Sequence, residues 1–196
     1  PTTGAACSGA TTTTPAGAGV SVAATTQPAN GLAIKGASRV AFTTFTLTAG
    51  SSDVVVNGVT VQRTGAAQDA VFAGVVLLDQ DGTQFDIAKT FGSTHQAVVG
   101  GTFTVKAGTT KTLTVAGNMN TDLSLYAGQV ATLSITAVNT TGTVTGALPI
   151  TGSSQTMNNT LTIGTVTGES ASYNPTAQSR EIGTTGYKFT GVRLSA

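Results

Sequence analysis

The ten residues VAFTTFTLTA, from Val40 to Ala49, alternate apolar and hydroxyl side chains with a period of two. Phe45 and Leu47 fall on one face of an extended chain, and threonines fall on the other. This pattern predicts a β-strand with one buried and one exposed face. Four further segments alternate in the same way and are predicted to be strands: TFTV (Thr102 to Val105), KTLTV (Lys111 to Val115), VATLSITA (Val130 to Ala137) and NTLTIGTVT (Asn159 to Thr167).

The neighbouring segments give four local predictions. The turn AGTT should join residues 102–105 and 111–115 in a hairpin, and GVVLLD (Gly74 to Asp79) suits a central strand covered on both faces. We expect a bend or bulge at Asn57 and Gly58, and a single helical turn within residues 66–74. About seven to nine strands at this spacing predict an all-β, antiparallel immunoglobulin-like or jelly-roll sandwich.

Composition narrows the classes of partner. The chain has 40 threonines and 25 glycines, and 9% of its residues are charged, against about 25% in an average soluble domain. Its nine cations are scattered singly, whereas nucleic acid and anionic lipid require clustered Lys and Arg. We therefore expect neither nucleic acid as a partner nor membrane insertion, since no apolar run is long enough to span a bilayer. A surface of hydroxyl and amide groups favours an extracellular or cell-surface location.

The sequence also predicts an internal repeat. Segment FTTFTLTA at 42–49 returns as FTGVRLSA at 189–196, an offset of 147 positions. We predict a linker at 1–18, a β-sandwich repeat at 19–163, and at 164–196 the start of a second repeat or an exchanged C-terminal strand. The residues shared at this offset are Pro28 and Pro175, Gly36 and Gly183, Phe42 and Phe189, Thr43 and Thr190, Leu47 and Leu194, and Ala49 and Ala196.

An incomplete repeat leaves apolar strands without a partner. Tyr187, Phe189, Val192 and Leu194 lie in the second copy, and exposed apolar strands offer a template for pairing. Three kinds of cover are open: the rest of a second domain, an edge of the same sandwich, or a neighbouring chain that receives the strand by β-augmentation. The last arrangement would build a head-to-tail homopolymer.

The N-terminal linker holds the single cysteine, Cys7. With no second cysteine it forms no disulfide within the chain, so it is either a free thiol or a bond between subunits. The linker is itself a candidate for the exchanged arm, and the sequence favours neither end.

The segments FAGVVLLDQDGTQFDIAKTF (residues 72–91), FTVKAGTTKTLTVAGNM (residues 103–119) and the restart at 163–196 carry a family resemblance. They resemble tandem β-sandwich repeats of secreted surface proteins in ultra-small candidate-phylum bacteria. The resemblance covers nearly the whole chain after about Gly17 and implies a surface-layer, filament or adhesin-stalk role. It assigns no functional residues.

One acidic cluster suggests a cation site. Asp79, Asp81 and Asp86 supply oxygens around Gly82, and Ca²⁺ prefers such ligands. The EF-hand pattern is not met, and DQDGT also suits a tight turn with Gly82 at positive φ and aspartates bound to backbone amides. We favour the turn over the metal.

No motif points to catalysis or to a cofactor. His95 stands alone in a Gly/Ser-rich loop, where a solvated side chain is the expected role. We find no nucleophile elbow, phosphate-binding loop or CxxC pair, and we predict that the chain is not an enzyme.

Two functional hypotheses remain open. The first is an extracellular structural protein, a self-assembling sandwich subunit of a surface filament or layer. The second is an adhesin or carbohydrate-binding module in a repeat stalk that contacts cell wall or glycan. Exposed Tyr126 and Tyr173 beside a polar groove would favour the second, and an apolar strand lodged in another chain would favour the first.

Overall fold

The computed structural model describes residues 17–172 and 174–196 and is all-β, with no α-helix in those ranges. The chain divides into two compact units, Pro1–Thr162 (unit 1) and Ile163–Ala196 (unit 2). The strands described in unit 1 are β1 (Gly19–Ala24), β2 (Gly31–Ile34), β3 (Val40–Ala49), β4 (Val54–Thr64), β5 (Phe72–Leu78), β6 (Gln96–Val99), β7 (Phe103–Val105), β8 (Thr110–Met119), β9 (Val130–Thr140), β10 (Thr143–Thr145) and β11 (Ile150–Asn158). Unit 2 contains β12 (Thr167–Ser170) and β13 (Val192–Ser195).

Unit 1 is a sandwich of two packed sheets. Sheet 1 has the order β10-β1-β3-β8-β5, and sheet 2 has the order β2-β11-β9-β4-β6, with β7 also paired to β4. Their inner faces form one core from side chains withdrawn completely from solvent, among them Phe42, Phe45, Leu47, Leu113 and Ile135. The predicted sandwich is therefore present. Its sheets are mixed and not purely antiparallel, because β1 pairs with β10 and β2 with β11 in parallel.

Strand β3 confirms the alternation and adds a bulge. Its pairing to β8 shifts between Ala41 and Thr43, so Phe42 and Thr43 are both buried although they are adjacent. The Thr43 hydroxyl donates to the carbonyl of Leu133 in sheet 2 at 2.6 Å. Burying a hydroxyl is tolerated where it finds such a partner, and here that partner links the two sheets at the bulge.

Two local predictions are confirmed. The pairing of β4 to β9 shifts between Val56 and Gly58, and Gly58 has a φ of 133°, which marks the expected bulge. Residues Asp69–Val71 form a single 3₁₀ turn within 66–74. A second 3₁₀ turn at Ser124–Tyr126 was not predicted, because it is too short to carry a helical period.

The hairpin prediction was wrong. Strand β7 pairs with β4 in sheet 2, whereas β8 pairs with β3 and β5 in sheet 1, so the turn between them crosses from one sheet to the other. Asp53 accepts the Ala107 N–H at 2.8 Å and the Lys106 ammonium at 2.7 Å, which ties the turn to the start of β4. Alternation is the same in a hairpin and in such an arch, so periodicity does not distinguish them.

Strand β5 is covered on both faces, as predicted, but it is not central. It stands at the end of sheet 1, and Val76 and Leu78 join Ala116 in a second buried cluster on its outer face. The outer edge of β5 is hydrogen-bonded by segment 83–89. The Val75 N–H donates to the Lys89 carbonyl at 2.7 Å, and the Lys89 N–H donates to the Val75 carbonyl at 2.9 Å.

The strand predicted at residues 159–167 was also wrong, and β11 just before it was missed. Asn158 ends β11 because its side-chain oxygen accepts the N–H groups of Thr160 and Leu161 at 3.0 and 2.8 Å, a local bond that competes with strand pairing. Strand β11 places Gln155 in the interior, where its amide donates to the carbonyls of Ala29 and Ala41. A buried Gln breaks the apolar period that marks a strand.

Candidate interaction surface

Three of the exposed apolar residues of unit 2, Phe189, Val192 and Leu194, form the candidate surface. Phe189, Val192 and Leu194 are 85%, 61% and 70% exposed. The residues 147 positions earlier are Phe42, Phe45 and Leu47, and all three are 0% exposed in the core of unit 1. Apolar side chains at these positions are therefore buried in the core of unit 1, whereas those 147 positions later are exposed to solvent in unit 2.

An aromatic cluster stands beside this surface. The rings of Tyr187 and Phe189 pack edge to face with centroids 5.0 Å apart, a preferred geometry for aromatic pairs. The Arg180 guanidinium lies 4.8 Å from the Tyr187 ring centroid, within cation–π range. Tyr187 is half-buried between these two neighbours, whereas most of the Phe189 side chain is exposed to solvent.

The strands of unit 2 pair antiparallel, as β1 and β3 do, but one position out of the register that the offset of 147 predicts. Val192 pairs with Ser170, whereas Phe45 pairs with Ala24, whose counterpart at that offset is Ala171. Ser195 pairs with Thr167, whereas Thr48 pairs with Ser21, whose counterpart is Gly168. The segment joining the two strands is one residue longer in unit 2.

The same side-chain bond brackets both pairs of strands. In unit 1 the Thr44 N–H donates to Oε1 of Gln27 at 3.0 Å, and Nε2 of Gln27 donates to the Thr44 carbonyl at 2.6 Å. In unit 2 the Gly191 N–H donates to Oδ1 of Asn174. Asn174 and Gly191 lie 147 positions after Gln27 and Thr44, and each amide residue precedes a proline.

The strand edges described in unit 1 are short. Strand β10 has three residues, and β2 and β6 have four each, while β5 is hydrogen-bonded by segment 83–89. Short and covered edges discourage pairing with another chain. Strand β13 of unit 2 is equally short, so what distinguishes its edge from those of unit 1 is the greater exposure of its apolar side chains.

The aspartates of the candidate calcium site have other partners: Asp79 and Asp81 form a turn, and Asp86 forms an ion pair. The Asp79 carboxylate accepts the N–H groups of Asp81 and Thr83 at 3.0 and 2.9 Å, and Gly82 has a φ of 77°. The Lys89 ammonium lies 3.0 Å from the Asp86 carboxylate, and this hydrogen bond lowers the pKa of Asp86. Within 17–172 and 174–196, no three His, Cys, Asp or Glu residues group as metal ligands.

His95 belongs to a charged network and is not simply solvated. Its Nδ1 lies 2.6 Å from the Asp69 carboxylate and 3.1 Å from the Arg63 guanidinium. Arg63 is buried and also bonds Asp69 and the Ala67 carbonyl. Burial acts to raise the pKa of Asp69, but the hydrogen bonds from Arg63 and His95 outweigh it, so the pKa lies below its usual value. Sequence patterns do not predict this network, because its members are up to 32 positions apart.

A polar groove of about 300 Å³ lies in unit 1 between the turn at Asp79–Asp81 and the residues Lys106–Thr112. Its lining is acidic, basic and hydroxyl, and no aromatic ring of the described residues contributes to it. Tyr126 packs against the core instead. Tyr173 and Cys7 lie outside the described residues.

The fold defines an all-β protein built on two packed mixed sheets. Comparison with family models, with curated proteins and with solved structures finds no match in any of the three. In the part of the chain that the structure describes, no helix has the length and hydropathy to cross a bilayer.

Proposed function

We propose that the chain is a structural protein of the cell exterior whose β-sandwich units associate with one another in a filament or layer. One observation carries the proposal: apolar side chains of unit 2 are exposed, whereas the apolar side chains 147 positions earlier are buried in the core of unit 1. Covering Phe189, Val192 and Leu194 would contribute about 1.5–3 kcal/mol each. A partner that supplies this cover is therefore strongly favoured.

The proposal includes an internal repeat. The amide bracket at Gln27 and Asn174 supports it, since each side chain accepts the backbone N–H that lies 17 positions further along the chain. Unit 2 then represents the first strands of a second sandwich, of the immunoglobulin-like or jelly-roll class. A strand exchanged between neighbouring chains is one way to complete that sandwich.

An uncharged hydroxyl surface supports the extracellular location. On the outer face of sheet 1, Thr44 stands opposite Thr114, Thr46 opposite Thr112 and Thr48 opposite Thr110. The hydroxyls of Thr48 and Thr110 lie 2.8 Å apart, and such cross-strand pairs stabilise a sheet without charge. The adhesin hypothesis has less support, because the polar groove offers no aromatic ring on which a sugar could stack.

Association of the purified full chain tests the proposal. Sedimentation velocity over a range of concentrations, with electron microscopy of the same samples, should reveal assemblies larger than one chain. Leu194→Asp should abolish them, whereas Ile182→Asp should not, since Ile182 is fully exposed but outside the strands. A chain that stays monomeric throughout would refute the proposal, and so would assemblies that both variants form equally well.

A further inference from the structure

We infer that the free edge of β13 is an acceptor for one kind of strand, an extended segment in which threonines alternate with Leu and Val as they do in β8. The inference rests on the proposed function and specifies its partner. In unit 1 the central strand β3 has β1 on one side and β8 on the other. In unit 2 the place of β1 is taken by β12, and no described residue takes the place of β8.

The register of β3 with β8 specifies the contact. Phe45 stands opposite Leu113, and Leu47 stands opposite Lys111. Carried forward by 147 positions, Val192 would face a leucine, and Leu194 would lie along the stem of a lysine. Main-chain bonds provide affinity in such strand addition, and alternate side chains provide specificity.

One difference between the units makes the partner more specific. Arg193 of β13 stands where β3 has Thr46, whose partner on β8 is Thr112. Arg193 already stands opposite Glu169 of β12 on one side. An acidic residue in the incoming strand at the position of Thr112 would place a second opposite charge on its other side, and opposite charges across strands are favourable. The preferred partner is therefore a β8-type strand with Glu or Asp at that position.

A peptide tests this inference without requiring the chain to assemble. A fluorescein-labelled peptide of residues 109–119 (TTKTLTVAGNM) is titrated with the full chain, and binding is followed by fluorescence anisotropy. We expect saturable binding that Leu194→Asp weakens by about tenfold or more, the loss expected from one buried leucine. Ile182→Asp should leave it unchanged, and a peptide with Leu113→Asp should not bind.

The acidic version of the peptide, with Thr112→Glu, tests the register. It should bind more tightly than the parent peptide, and added salt should reduce the difference. Equal binding of the two peptides would overturn the assigned pairing.

The outcomes separate this inference from the proposed function. If the chain assembles but neither peptide binds, the acceptor edge is wrong and self-association stands. If the chain remains monomeric and the peptides bind as described, the acceptor edge stands and self-association is refuted. Binding that survives Leu194→Asp would place the peptide elsewhere and overturn the inference.

Discussion

Leucines at corresponding positions of the two units should differ sharply in their effect on stability. Leu47 is 0% exposed and Leu194 is 70% exposed. Removing a fully buried leucine leaves a cavity and costs about 2–5 kcal/mol, so Leu47→Ala should lower the free energy of unfolding by about 3 kcal/mol. At about 2–4 °C for each kcal/mol in a domain of this size, the melting temperature should fall by about 6–12 °C. Leu194→Ala should change the stability by less than about 0.5 kcal/mol, as exposed positions do.

Far-UV circular dichroism during thermal and urea unfolding measures both variants, and it suits a chain that has no tryptophan. The protein should be dilute enough to be monomeric, because assembly would bury Leu194 and raise its contribution. Equal destabilisation by the two substitutions would refute the reasoning, since it would mean that Leu194 is as deeply packed as Leu47.

Three further predictions follow from unit 1. The pKa of Asp69 is lowered from 3.8 on folding, so its contribution to stability is present above about pH 4 and is lost as the pH falls through the lowered value. Asp69→Asn should reduce the free energy of unfolding at neutral pH by about 2 kcal/mol. The melting temperature of this variant should therefore decline less steeply towards about pH 3 than that of the parent chain. Gly152→Ala should destabilise by about 3 kcal/mol or more, because its Cβ would overlap the Phe42 carbonyl across the core, and a loss below about 1 kcal/mol in urea unfolding would contradict this packing. Gln27→Ala should cost about 1–2 kcal/mol by freeing the Thr44 backbone groups, with faster amide exchange at Thr44 as its specific sign; unchanged exchange would show that the bracket is not formed.

The sequence was informative where burial follows a period. The alternation of β3 and β9, the bulge at Asn57 and Gly58, and the turn at Gly82 could all be predicted, because each depends on side chains within a few positions. The arch between β7 and β8 could not, because it depends on Asp53, which lies more than 50 positions away. Strand β11 was missed because Gln155 is buried through carbonyls that come from distant segments.

The candidate surface was predicted from its residues and remains a prediction. The sequence predicts Phe189, Val192 and Leu194 because they fall 147 positions after Phe42, Phe45 and Leu47. Their exposure could not be predicted, since it depends on what packs against them. The network of Arg63, Asp69 and His95 was missed for the opposite reason. Its residues are ordinary alone, and only the fold brings their side chains together.

The two parallel pairs in unit 1 have a mechanical consequence. Strand β1 opens the sandwich and runs parallel to β10 near its end, and β2 runs parallel to the last strand, β11. Tension applied at the two ends of the unit would pull the two strands of each pair past one another, parallel to the strands. The hydrogen bonds between them would then be loaded together and not broken one after another. Resistance to such a load depends on the height of the unfolding barrier, not on the equilibrium stability. A sandwich with this topology is suited to carry force along a chain that is anchored at both ends.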